Sequence, residues 1–295
     1  MAGYMSHFLF GQIEYKKMKS GEIKQAIKEN YKVYNLGLQG PDLFFYYPRA
    51  RMISRKNPGS IMHQSHTGRY INQLYRFVQH LKDAGAKKTA IAYLAGYMGH
   101  YCMDAICHPY IYYRTAYGEK QFFYHGRHVM LEREIDHALM KRYGKQMLFE
   151  EDREEMIRLT KRQCAVVAKM LSYACSTSYA DIRLSKRQAA LVINNTGRFM
   201  QIMRKMESGF VRKYRPLLFA DPLNLQKNEW YNPWQLSYGR KDKRHNENFY
   251  ELMRQASVFY QNMLEEMWKV MKKGDSVLSY LQTGNRSMMS GLPLE

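Results

Sequence analysis

The sequence predicts an all-α fold, a multi-helix bundle running through residues 1–295 as a single domain. Three observations point there. Apolar and aromatic residues recur at steps of three and four, which places them on one face of a helix. Capping and stop residues bracket those stretches. Strand-like alternation is nowhere sustained, and no repeat of about 20–50 residues marks a solenoid.

The elements follow in order. Residues 5–18 form a first short helix, with His7 near its start. Ser20 caps a second over 21–35, where Ile23, Ala26, Ile27, Tyr31 and Tyr34 share a face, and Asn35–Gly37 stops it. Gly40-Pro41 is a turn signal with Asp42 directly behind it; an aspartate there also suits a cap or an Asx turn. Residues 57–66 (NPGSIMHQSH) form a loop or short turn carrying His63 and His66. A third helix covers 67–83 and includes His80, an ordinary position. A fourth runs over 88–107, and Pro109 disfavours its continuation past His108. An aromatic loop over 110–123 leads to a fifth helix over 126–142. Helices over 151–176, 185–215 and 245–273 follow, with a long loop at 219–244. A last short helix at 276–282 precedes a polar tail.

Composition narrows the function classes. A chain of 295 residues with 14% aromatic content, 25 Tyr and 21 Met is a folded globular chain with a substantial core. Its net charge of +20 favours anionic partners: nucleic acid, phospholipid head groups or a phosphate ester. The four cysteines (Cys102, Cys107, Cys164, Cys175) show no CxxC spacing and suggest no disulfide framework; Cys102 and Cys107 read as buried free thiols. The start of the chain lacks the apolar stretch and small-residue cleavage site of a signal peptide, and no run of 18 apolar residues marks a membrane span. The expected location is cytoplasmic.

The stretch Gly99–Asp136 carries the chemistry. His100, Asp104 and His108 follow one another at steps of four, and His128 and Glu132 repeat the step on the next helix. Four residues advance an α-helix by about 400°, so such side chains stack on one face. The residues before His100 (AIAYLAGYMG) are almost all apolar, so that face is buried. Buried ionisable groups must be paired, protonated or bound to metal. Imidazole and carboxylate together suit Zn²⁺. The competing reading is a set of core histidines satisfied by hydrogen bonds, with Glu132 in an exposed helical pair.

At these residues the chain resembles a known family. GHYCMDAICHP, GRHVMLE and LQGPD are similar to the zinc-dependent phospholipase C family, whose fold the single-strand nucleases of fungi share. The resemblance covers most of the first 145 residues. It implies a helical bundle with two or three zinc ions at the bottom of a cleft. By resemblance, one zinc takes His100 and Asp104, helped by Asp42 and His63, with His66 as the alternative to His63. A second takes His108, His128 and Glu132. The family's third zinc uses a mature N-terminal Trp, a nearby His and the bridging Asp. His7 and Asp104 hold the matching places, but no Trp lies near this N-terminus, and the spacing from Asp104 to His108 is two residues shorter than in the secreted phospholipases. Asp42 is also the candidate base or water-orienting group.

The expected activity is zinc-dependent phosphodiester hydrolysis, cleaving a phospholipid head group. A nuclease or small-molecule phosphodiesterase on the same scaffold is the rival, and a non-catalytic metal-stabilised protein the bland alternative. Residues 1–145 form the metal-binding half and 146–295 complete the bundle. Peripheral contact with an anionic membrane is expected through Arg204, Lys205, Arg212, Lys213, Arg215 and the run Arg240–Arg244, with nucleic acid as the other partner class. The aromatic runs at 44–47, 110–113 and 121–124 read mainly as core, with a share free to line a cleft.

Overall fold

Packing is centred on one long helix. In the computed structural model, which describes residues 3–19, 21–116, 124–143, 155–208, 229–237, 244–275, 278 and 285–294, helix α6 spans Ala84–Arg114 and is buried almost continuously from Thr89 to Ile111. Asp83 caps it by accepting from the Ala86 amide at 2.6 Å. Around it lie α1 (Tyr4–Lys17), α2 (Glu22–Glu29), α3 (Tyr31–Gly37), α5 (Thr67–His80), α8 (Lys161–Ser178) and α11 (Phe249–Lys273). Two glycines let α3 lie directly on α6. A Cβ at Gly37 would stand 2.4 Å from the Tyr93 carbonyl oxygen, and one at Gly96 2.2 Å from that of Tyr34. The apolar faces meet in one connected core that reaches from Tyr4 to Met288. The remaining helices are α4 (Pro58–Gln64), α7 (Tyr124–Tyr143), α9 (Lys186–Ser208) and the short α10 (Pro233–Ser237). Among the described residues there is no strand, only isolated bridges joining Trp230 to His245 and Arg286 to Pro293. No described helix is long and apolar enough to cross a membrane.

Several expected boundaries move, each for a local reason. The helix expected over 21–35 is two helices. Asn30 breaks it at φ −134°, held by hydrogen bonds from Thr89 Oγ1 and Gln163 Nε2 to its side-chain oxygen. The loop expected at 57–66 contains α4, because the Asn57 side chain caps Gly59 N at 2.9 Å and Pro58 sits in the first turn, where its missing N–H costs nothing. Pro109 does not end α6, which runs on to Arg114. The residues after it are packed too well to leave the helix: Tyr110 and Ile111 are buried, and the Tyr110 ring meets Trp230 and Phe249. Helix α8 begins only at Lys161, where Thr160 and Gln163 form a capping box, and α11 at Phe249, where Asn248 and Glu251 form another. The expected helix at 276–282, apart from Leu278, and most of the loop at 219–244 lie outside the described residues.

Candidate metal centre

Five elements deliver side chains to one buried place. His100, Asp104 and His108 stand on consecutive turns of α6. His128 and Glu132 come from α7, His7 from α1 and His63 from α4. Asp42 comes from the 3-10 turn Gly40–Phe44, in which Gly40 has φ +49°. That glycine is required twice over. Its backbone sits in the left-handed region, and a Cβ there would lie 2.2 Å from the His100 ring. Helix α1 has no capping side chain of its own. Asp136 of α7 supplies one, accepting from the amides of Met5 (3.1 Å) and Ser6 (2.8 Å). The helix bearing His7 is therefore tied to the helix bearing His128 and Glu132.

All eight residues that the sequence singles out are buried and converge. Asp104 is at the centre. Its Oδ1 lies 3.2 Å from His7 Nε2, and its Oδ2 lies 3.0 Å from His100 Nε2, 3.3 Å from His63 Nε2 and 3.6 Å from His108 Nδ1. Asp42 Oδ1 is 3.4 Å from His63 Nε2. At the α7 end, Glu132 Oε1 is 2.8 Å from His128 Nε2 and 3.6 Å from His108 Nε2. Three triads have donor atoms within 4.8 Å of one another: His7–Asp42–His100, His63–His100–Asp104 and His108–His128–Glu132. Ligands of one tetrahedral zinc at the usual bond lengths stand about 3.3 Å apart, so these triads are of the right size. His66 is left out. It is exposed at the start of α5 with φ 52°, its ring against Tyr179. His80 is also exposed, bonded to its own helix at the Arg76 carbonyl.

Three of the histidines are oriented by backbone. His63 Nδ1 donates to Gly59 O at 2.7 Å, His100 Nδ1 to Leu38 O at 3.1 Å and His108 Nδ1 to Met288 O at 2.6 Å. A carbonyl can only accept, so Nδ1 carries a proton and Nε2 is the nitrogen turned to the cluster. Both His7 nitrogens, His100 Nε2, His108 Nε2, Asp42 Oδ1 and both Asp104 oxygens have no hydrogen-bond partner among the described residues. A buried polar atom left in that state costs about 1–3 kcal/mol. A dication among them satisfies all of these atoms together, so the donor set fits zinc.

The electrostatics agree. Burial pushes the His108 imidazole down to about 3, with the charge of Asp104 opposing it. His7 is lowered too, by burial and then by the charge of His100. Burial also works against a charged His100, but Asp104 and Asp42 outweigh it and hold that ring above the ordinary histidine value. Asp104 is drawn well below the carboxylate range: burial would raise it, and His100, His108 and His7 more than reverse that. Burial raises Glu132 well above its ordinary value, reinforced by Asp42 and Asp104.

The walls are aromatic in part. Tyr112 packs against the His128 ring at 4.5 Å and against Trp234 at 4.9 Å, and Phe45 lies 5.9 Å from the His63 ring. These three are half-buried, whereas Phe44, Tyr46, Tyr47 and Tyr110 belong to the core, and 121–123 lie outside the described residues.

The family model for zinc-dependent phospholipase C matches residues 6–186. The chain belongs to the zinc-dependent phospholipase C family. No curated protein and no solved structure matches it. All eight converging residues fall inside the matched span of this phospholipase C-family chain. The residue whose carbonyl orients His108, Met288, falls outside it. Two contributors carry no mark in the sequence at all, the carbonyls of Leu38 and Gly59. Two more, the cap from Asp136 and the segment around Met288, had only a weak signal: an acid one turn beyond Glu132, and the turn residues Ser290-Gly291.

Proposed function

We propose that this chain is a zinc-dependent phosphodiester hydrolase that releases a phosphorylated head group from a phospholipid. Its family is one of phospholipase C-type hydrolases. The observation that supports the finer reading is the central position of Asp104 between two histidine-rich ends. In this reading His100, Asp104, Asp42 and His63 hold one zinc and His108, His128 and Glu132 another. His100 can serve one ion only, because its Nδ1 is committed to Leu38. The two triads that share His100 are therefore not two independent sites. A third zinc rests on His7 and Asp104 together with the start of the chain, which lies outside the described residues. Residues 1–295 act as one domain in this account, since one core joins the two halves.

Zinc in such a pair lowers the pKa of water toward neutrality and offsets the charge on phosphoryl and leaving oxygens. The chain's own residues do the rest. Asp42 presents Oδ1 to the cluster, and its carboxylate orients the attacking water and accepts a proton from it. Phe45, Tyr112 and Trp234 exclude bulk water at the rim and pack against the glycerol backbone. The segment Pro48–Asn57 joins the Asp42 turn to the helix of His63. Arg49, Arg51, Arg55 and Lys56 are exposed on it, Met52 is 70% exposed between them, and it holds no acidic residue. That combination suits an anionic lipid surface. The basic clusters expected at 204–215 and 240–243 lie outside the described side chains, and Arg244 is paired with Glu229.

The test is a zinc-reconstituted preparation assayed on phosphatidylcholine vesicles, single-stranded DNA and bis(4-nitrophenyl) phosphate. Head-group release from the vesicles is the expected result. Turnover of DNA alone transfers the site to a nuclease. Two bound zinc ions with no turnover of any ester would favour a structural metal centre.

A further inference from the structure

The segment 285–294 was expected as part of a polar tail. Instead it is a small closed hairpin pressed onto the metal centre. Within it Ser287 N donates to Leu292 O at 2.9 Å, Gly291 N to Ser287 O at 2.9 Å and Leu294 N to Asn285 O at 2.9 Å. Among the described residues its outer hydrogen bonds go to α4, α5, α6 and Asn232. Met288 N donates to the carbonyl of His63 at 2.8 Å, and Ser287 Oγ to the same oxygen at 3.2 Å. The Met288 carbonyl in turn receives His108 Nδ1 at 2.6 Å. One residue thus binds the backbone of one candidate ligand and the imidazole of another. Arg286 N donates to Tyr101 Oη at 2.9 Å, Gly68 N to Asn285 Oδ1 at 2.8 Å, and Asn232 Nδ2 to Ser290 O at 2.7 Å.

The hairpin also meets α6 at the proline within that helix. Pro109 has no N–H, so the Ala105 carbonyl loses its intrahelical donor. Gly291 packs on that oxygen so closely that a Cβ would stand 2.3 Å from it and 3.4 Å from Pro109 Cγ. Its φ of +65° is also one that side-chain-bearing residues rarely adopt. The break in the hydrogen-bond ladder of α6 lies at the candidate ligand His108, and the hairpin is seated on it.

We propose that residues 285–294 are a closing element of the metal centre: the hairpin holds His108 and His63 in ligating orientation, and zinc retention at the His108–His128–Glu132 triad depends on it. Met288 acts as a positioning residue through its backbone. The inference rests on the metal-centre reading above, and it does not depend on which phosphoester is cleaved.

The test uses the full chain and its Gly291→Ala variant, with Gly274→Ala as a matched control. Gly274 has φ +75° at the end of α11 and nothing within 4 Å of an added Cβ, so its substitution imposes comparable backbone strain away from the hairpin. Zinc per chain is measured after dialysis against a weak chelator. The visible spectrum of the cobalt(II)-substituted protein reports ligand geometry, and circular dichroism of the metal-free chains reports folding. Gly291→Ala is expected to weaken retention of one zinc by about 10–100-fold and to alter the cobalt spectrum, as outer-shell changes at metal sites do. Gly274→Ala should change neither. Asn285→Ala, which leaves the αL glycine in place, should act in the same direction to a smaller extent, and it carries the test if Gly291→Ala fails to fold. Equal zinc loss in Gly291→Ala and Gly274→Ala, or unchanged zinc and spectrum in both hairpin variants, overturns the proposal. A wild-type chain that binds no zinc overturns the metal reading itself, which is a distinguishable failure.

Discussion

His100 and His108 lie two turns apart on α6, yet different parts of the chain hold them. His100 is oriented by Leu38, and His63 beside it by Gly59 of its own helix. Both of those imidazoles take their orienting carbonyl from the first 104 residues, although the His63 backbone also accepts from Met288 N. That end is dense: the His7 and His100 rings stack at 4.3 Å, and Asp104 touches both. His108 instead depends on Met288, and its partners His128 and Glu132 sit on α7. The comparison teaches that a ligand-like spacing on one helix does not make one uniform site. The imidazoles of the His100 end are oriented by the carbonyls of Leu38 and Gly59. The α7 end is preorganised by chain 180 residues away.

Four experiments probe that difference, beginning with the largest effect. Asp104→Ala removes the carboxylate that lies between the two ends, and metal analysis should find neither zinc retained and no phosphoester turnover. His128→Ala affects one end only. It should lower the zinc count by one while the zinc at the His100 end remains, and loss of both ions would show that the ends are not separable.

Acid should act by proton competition. Asp104 and Asp42 hold His100 above the ordinary histidine value, which favours the protonated ring and sets a proton in competition with zinc there. Burial, which raises Glu132, favours its protonated form in the same way. A raised pKa means a more tightly held proton, so zinc affinity rises with pH and falls as the solution is acidified. His108, held near 3, contributes nothing to that fall. Calorimetry in buffers of different ionisation enthalpy should register proton release on zinc binding, and zero release would contradict the assignment. The smallest effects belong to His66→Ala and His80→Ala, exposed residues outside the cluster, which should leave zinc content unchanged.

Much of this architecture is legible in the sequence, for physical reasons that also mark where legibility stops. The steps of four through His100, Asp104, His108, His128 and Glu132 announce a shared helical face because side-chain direction is periodic. Asp42, His7 and His63 have no such spacing between them and enter through family resemblance. The break at Asn30 is fixed by Thr89 and Gln163, partners too distant in sequence for a local pattern to reveal. Pro109 carries a strong local stop signal, and tertiary packing overrides it. The carbonyls of Leu38, Gly59 and Met288 do the orienting, and a backbone carbonyl is the same group in every residue.

The central claim is that the two ends form one hydrolytic zinc centre. Its most direct test is turnover of bis(4-nitrophenyl) phosphate by the metal-free chain as zinc is added stepwise, with bound zinc measured at each step. The account predicts tight uptake of at least two zinc ions per chain, with activity appearing as the second one binds. Less than one tightly bound zinc per chain, or full activity before the α7 end is filled, would contradict it.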